Sequence, residues 1–123
     1  MTKNVAEVAN PPRNARAGTE MNVWTAEQLA EFLRGIETHR LYPAYLLAAT
    51  TGMRRGEILG LKWSNVDLEA KTVWVRETLI SVGYKVRLSQ PKTSRSRRSI
   101  ALDDETVAVL RQLKRRQVEE RLR

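Results

Sequence analysis

Cysteine is absent from the 123 residues, which excludes disulfide scaffolds, cysteine-ligated zinc and thiol nucleophiles. Histidine occurs once, at His39. It has no His, Asp or Glu partner at metal-ligand spacing, so no metal is expected and His39 reads as a helix-end or surface residue. No run of about 18 apolar residues exists and the N-terminus has no apolar signal core, so neither membrane insertion nor secretion is expected. A Gly-rich nucleotide loop and a G-x-S-x-G nucleophile turn are both missing, and no cofactor is expected. Acidic residues are scarce: 14 Asp and Glu face 22 Lys and Arg, a formal net charge of +8. That imbalance points to a polyanionic partner without separating DNA, RNA or an acidic membrane surface. The length fits one small domain, and 41% hydrophobic with 29% charged residues marks a folding chain rather than a disordered tail.

Residues 1–22 carry no helical or strand period and are punctuated by Asn10, Pro11, Pro12 and Gly18, so they read as a linker or flexible tail. Thr25 and Gln28 have capping-box spacing, Trp24 is placed to staple onto Leu29, and Leu29, Phe32, Leu33 and Ile36 recur at helical spacing. A second helix is expected from Leu41 to Thr51, with Pro43 in its first turn and Gly52 ending it. A third runs from Arg54 to Leu61. Ser64, Asn65 and Asp67 suggest a turn, after which Thr72–Arg76 alternates as a strand, with the pattern extending through Leu79 and Ile80. Gly83 marks a turn, Tyr84–Ser89 alternates again until Pro91, and a short strand is expected over Arg98–Ala101. Asp103 caps a last helix carrying Val107, Leu110, Leu113 and Val118. The expected fold is α+β: about three N-terminal helices, a small three-stranded antiparallel sheet and one C-terminal helix. Tyr42, Tyr45, Trp24, Trp63 and Trp74 are expected in the core.

Two constellations carry chemistry. Between Lys85 and Arg98 stand Lys85, Arg87, Lys92, Arg95, Arg97 and Arg98 with no acidic residue among them. Such a block on a hairpin makes a basic finger for a phosphate backbone, the alternative being a solvated loop that merely confers solubility. The second is Thr51-Gly52-Met53-Arg54-Arg55-Gly56-Glu57. A glycine-ended helix followed by an arginine-initiated one sets backbone N–H groups beside two guanidiniums, a phosphate-binding geometry. Glu57, three residues after Arg54, shares its face and would orient it; equally, the two form an ordinary surface pair.

These residues resemble a known family. The stretch from Ala49 to Asp67 looks like the first catalytic-arginine box of the tyrosine recombinases, the phage integrase family. Gln90–Leu102 looks like its β-hairpin lysine box, and Trp24–Leu29 resembles the opening of its catalytic domain. The resemblance implies that Arg54 contacts the scissile phosphate, that Glu57 supports it, and that Lys92 protonates the leaving 5′-hydroxyl. Arg55, Lys85, Arg87, Thr93, Arg95, Arg97 and Arg98 are then expected to bind DNA. It further implies strand exchange through a 3′-phosphotyrosyl link, with double-stranded DNA and other integrase protomers as partners, in the cytoplasm of a bacterium and at its nucleoid.

The sequence departs from the family pattern in one large respect. An H-x-x-R box and a late tyrosine are missing, and the last tyrosine, Tyr84, precedes the lysine box. Residues 23–123 are accordingly read as the N-terminal half of a catalytic domain, without its nucleophile and inactive alone, and of modest stability because apolar residues such as Leu59, Ile80 or Leu110 lie uncovered. A complete non-enzymatic DNA-binding module is the alternative. An RNA-binding domain is a further one, disfavoured by the lack of aromatics interleaved with the basic strand residues.

Overall fold

The computed structural model describes residues 22–90 and 97–123. Helix α1 (Ala26–Gly35) starts as the sequence dictates, with Thr25 and Gln28 closing a reciprocal capping box. Trp24 packs edge-on against Phe32, at 5.1 Å between ring centroids. Helix α2 (Tyr42–Thr51) carries Pro43 in its first turn and ends at Gly52 in the left-handed conformation, φ 65°. Helix α3 (Arg55–Leu59) is three residues shorter than expected, with Arg54 as its N-cap and Gly60 as its C-cap.

A 3-10 turn (Trp63–Asn65) leads into the two-residue strand β1 (Val66–Asp67), where the sequence pattern suggested only a turn. Asp67 Oδ1 accepts from the backbone N–H groups of Glu69 and Ala70 and turns the chain into β2 (Thr72–Val75). The expected continuation of β2 breaks after Val75. Strand β3 (Thr78–Val82) instead pairs with β4 (Lys85–Ser89) as a separate hairpin. The two turn residues Gly83 and Tyr84 both have positive φ, 55° and 64°, the combination that suits the right-handed twist of a two-residue hairpin. Tyr84 is thus a turn residue and not the start of a strand. Strand β5 (Arg98–Ala101) returns to β2, giving an antiparallel sheet of order β1-β2-β5. Helix α4 (Asp104–Arg121) is capped by Asp103, whose side chain accepts from Thr106 N–H.

The architecture is therefore α+β, with the three-stranded sheet assembled from β1, β2 and β5 and the hairpin standing apart. The core lies between β2 and helices α2 and α4. Val73, Val75, Leu47, Met53, Leu102, Val107 and Leu110 fill it. Leu110 is 2% exposed, so it is a central core residue and not an uncovered one, whereas Leu59 and Ile80 do face outward. Trp24 and Tyr45 are also more exposed than a core aromatic, while Trp63 is half-buried and donates its indole N–H to Gln117 Oε1 at 2.8 Å.

The hairpin meets the helical part at one point. A Cβ on Gly56 would stand 2.6 Å from Thr78 Oγ1 and 2.7 Å from the Leu79 carbonyl oxygen. The start of β3 therefore lies directly on the backbone of α3, an approach that only glycine permits.

Candidate functional site

The turn from α2 into α3 builds the site. Gly52 reverses the chain, Met53 anchors it in the core, and Arg54 then occupies the N-cap of α3 in extended conformation. Glu57, at the third helical position, accepts the Arg54 backbone N–H on Oε2 at 2.8 Å. This satisfies one donor that the start of a helix leaves without an intrahelical partner.

Glu57 is buried, its side chain 7% exposed. Burial of a carboxylate is costly unless it is paired and hydrogen-bonded. Two guanidiniums approach it, and they do so unequally. Arg98, at the start of β5, donates from both terminal nitrogens, one to Oε1 and one to Oε2, each at 3.0 Å. Arg54 makes a single long contact to Oε1 at 3.5 Å, and its side chain is 80% exposed. The hydrogen bonds from Arg98, opposed by burial and aided by the Arg54 N–H, hold the Glu57 carboxyl below its usual range. The same pairing raises Arg98.

The expected pair of Arg54 and Glu57 is thus present, but Glu57 is bound chiefly by a residue 41 positions away. Local spacing does not reveal that partner. The strand alternation does carry a hint: Arg98 shares its inward parity with Ile100, which packs on the core, and an arginine on that side of a strand needs an acid within reach.

Beside this cluster lies a cleft of about 670 Å³, lined among others by Lys62, Trp74, Arg76, Arg97, Arg98 and Ser99. Lys62, Trp74 and Arg76 were not singled out by sequence, because nothing in their spacing links them to the basic block. Lys62 is paired with Glu77 at 2.6 Å. Arg97 donates to Gln90 Oε1 at 3.3 Å across the cleft mouth. Arg55 is exposed on α3, and Lys85 and Arg87 are exposed on β4, away from the cleft. Lys92, Thr93 and Arg95 lie outside the described residues, as does Pro91. His39 is exposed and accepts the Leu41 N–H on Nδ1. Among the described residues no group of three His, Cys, Asp or Glu side chains gathers as a metal site, and no helix is long and apolar enough to cross a membrane.

Chemically, the arrangement is a cationic surface, and of the two guanidiniums that approach Glu57 one is left largely exposed. Arg98 is taken up by Glu57, whereas Arg54 keeps most of its donors for an oxyanion. A planar guanidinium at a helix start is well matched to phosphate oxygens.

The chain is similar to several known proteins. A curated relative, the tyrosine recombinase XerC-like protein of Caldanaerobacter subterraneus subsp. tengcongensis, is 32% identical over 114 residues, covering 85% of this chain and 29% of that protein. The ICEBs1 integrase of Bacillus subtilis is 26% identical over 102 residues, covering 81% of this chain and 28% of that protein. The chain thus spans under a third of the length of these relatives. Among solved structures, the Tn1549 transposon integrase in complex with circular intermediate DNA aligns with a TM-score of 0.68 at 27% identity, covering 76% of this chain and 32% of that one. The same integrase with transposon right-end DNA aligns with a TM-score of 0.71 over 93% of this chain and 36% of that one; at 23% identity it speaks for the fold. The model of the phage integrase family matches residues 22–122, and the chain belongs to that family.

Proposed function

We propose that this chain supplies the phosphate-gripping part of a tyrosine recombinase catalytic domain, an enzyme that breaks and rejoins double-stranded DNA. One observation carries the reading: Arg54 presents an exposed guanidinium at the start of α3, while the carboxylate beside it is buried and bound by another arginine. Arg54 then donates to the scissile phosphate. Negative charge grows on the phosphoryl oxygens as a tyrosine oxygen attacks phosphorus, so a guanidinium fixed in place lowers that barrier without reorganising. Lys92 is assigned the acid role: it gives a proton to the 5′-oxygen as the bond from phosphorus to that oxygen breaks, leaving a 3′-phosphotyrosyl link. Lysine suits the task because an ammonium can give up its proton where an arginine stays protonated. Arg55, Lys85, Arg87, Thr93, Arg95 and Arg97 add contacts to the duplex backbone, and Lys62 and Arg76 extend the cationic cleft.

In this reading the attacking tyrosine is none of the three present. Tyr84 is fully exposed at the hairpin turn and precedes Lys92, and Tyr42 and Tyr45 precede Arg54. Residues 23–123 correspond to part of a catalytic domain, and residues 1–22 to the linker before it. Strand exchange calls for a second DNA strand held by further protomers, at the bacterial nucleoid in the cytoplasm.

Titration of a duplex into the chain at two salt concentrations tests the proposal. About four phosphate contacts predict a loss of roughly a hundredfold in affinity between about 50 and 200 mM salt. A nicked suicide substrate is expected to give no covalent adduct. Salt-independent affinity would overturn the DNA assignment, and an adduct would overturn the assignment of the nucleophile.

A further inference from the structure

Arg98 belongs by sequence to a block of cations suited to DNA. Its position in the structure gives it different work. Both terminal nitrogens are bound to the two oxygens of Glu57 at 3.0 Å, and its side chain is only 34% exposed against 80% for Arg54. The start of β5 is itself fixed, since Arg98 pairs with Val75 in the sheet ladder and Ile100 packs on the core. Arg98 therefore ties the core sheet to the first turn of α3 through one buried carboxylate.

The stoichiometry of that cluster matters. Two guanidiniums share one carboxylate, and the one from β5 holds it by a two-point fork, the stronger geometry. Arg54 is left with a single contact at 3.5 Å. Were Arg98 absent, Glu57 would be a buried acid with Arg54 as the remaining cation acting on it among the described residues, and the attraction would draw Arg54 inward. We infer that Arg98 is a positioning residue: by occupying Glu57 it fixes the start of α3 and leaves the Arg54 guanidinium free to meet a phosphate. This rests on the functional reading above for what Arg54 grips, and on the geometry alone for what Arg98 holds. Arg98 itself makes no phosphate contact.

Two measurements on the 123-residue chain separate those two parts. In the first, side-chain carboxyl resonances are followed by NMR through an acid titration, without DNA. Arg98→Met is expected to move the Glu57 midpoint to higher pH, because the largest cause of its lowering is gone; an unmoved midpoint would overturn the inference. In the second, duplex affinity is measured in a double-mutant cycle. Arg98→Met alone is expected to weaken binding on the order of five- to tenfold, and to add almost nothing once Arg54→Ala is present. Losses that add in full would mark Arg98 as an independent phosphate contact and overturn the inference. Should Arg98→Met not fold, Arg98→Lys decides: a lysine cannot span both carboxylate oxygens, so a clear loss is expected, whereas a direct phosphate contact would tolerate the change and sink the inference. If the unmodified chain shows no salt-dependent DNA binding, the functional reading falls, and the carboxyl titration alone then upholds or overturns the role of Arg98.

Discussion

The β1-β2-β5 sheet and the β3–β4 hairpin are built from similar sequence and have different fates. Both are antiparallel, and both alternate apolar with polar residues. In β2 the alternation delivers Val73 and Val75 to the core at 0% and 2% exposure. In β4 the same alternation leaves Val86 and Leu88 at 63% and 50%. The difference lies in what covers each face. Helices α2 and α4 close over β2, whereas among the described residues the hairpin packs on α3, where β3 lies against Gly56 and Gly60. The proposed roles divide along the same line. The covered sheet carries Arg98, and through Glu57 it fixes the helix that presents Arg54. The hairpin offers exposed Lys85 and Arg87 on a ribbon held at its base. Precision therefore comes from the part with a core, and reach from the part without one.

Four substitutions or conditions probe that contrast, beginning with the largest expected effect. Leu110→Ala empties a fully buried position and is expected to cost about 2–5 kcal/mol in urea unfolding; a loss below ~1 kcal/mol would mean that α4 does not close the core. Gly56→Ala forces a methyl against Thr78 and the Leu79 carbonyl. We expect a loss of about 1–3 kcal/mol, read by the same unfolding transition, or detachment of the hairpin, read as changed β3 amide shifts. Tolerance of the methyl would show that β3 does not press on α3.

Acid provides the third probe. Glu57 is held below the ordinary value of 4.5 in the folded chain. Its contribution to stability is therefore present above that value and is lost as pH falls through the lower, folded one. Unfolding free energy is expected to drop on acidification below about pH 4.3, and Glu57→Gln to remove part of that drop. Asp104 and Glu27 are lowered too, but they are fully exposed, so the Glu57→Gln difference isolates the buried group. An unchanged acid limb would contradict the buried, paired state of Glu57. Smallest of all is Leu88→Ala on the hairpin, expected to stay within about 0.5 kcal/mol of the parent; a core-sized loss would erase the distinction between the two β structures.

How far the sequence could be read follows from the range of each interaction. Thr25 with Gln28, Gly52 after α2, and Asp103 before α4 act within four residues, and each marks its boundary correctly. The Arg54, Glu57 pairing was legible for the same reason. Its stronger partner Arg98 was not, because 41 residues separate it from Glu57 and only the sheet register brings them together. Strand β1 is two residues long and has no period to detect. The separation of β3–β4 from the main sheet was hidden because alternation reports a two-faced strand and not what packs on its faces. For Trp24 and Tyr45, aromatic character suggested burial, whereas their place at the edge of α1 and α2 leaves them half open. The basic block was visible as charge, but its described members divide between Arg98, bound to buried Glu57, and exposed positions at Lys85, Arg87 and Arg97.

Arg54, its guanidinium exposed beside a carboxylate that Arg98 holds, is the residue proposed to meet the DNA backbone. The most direct test of that role is the salt dependence of duplex binding by the chain with and without Arg54→Ala. Loss of one phosphate contact is expected to weaken binding to all sequences alike and to reduce the slope of log affinity against log salt by about 1. An Arg54→Ala chain with the affinity and slope of the parent would contradict the account.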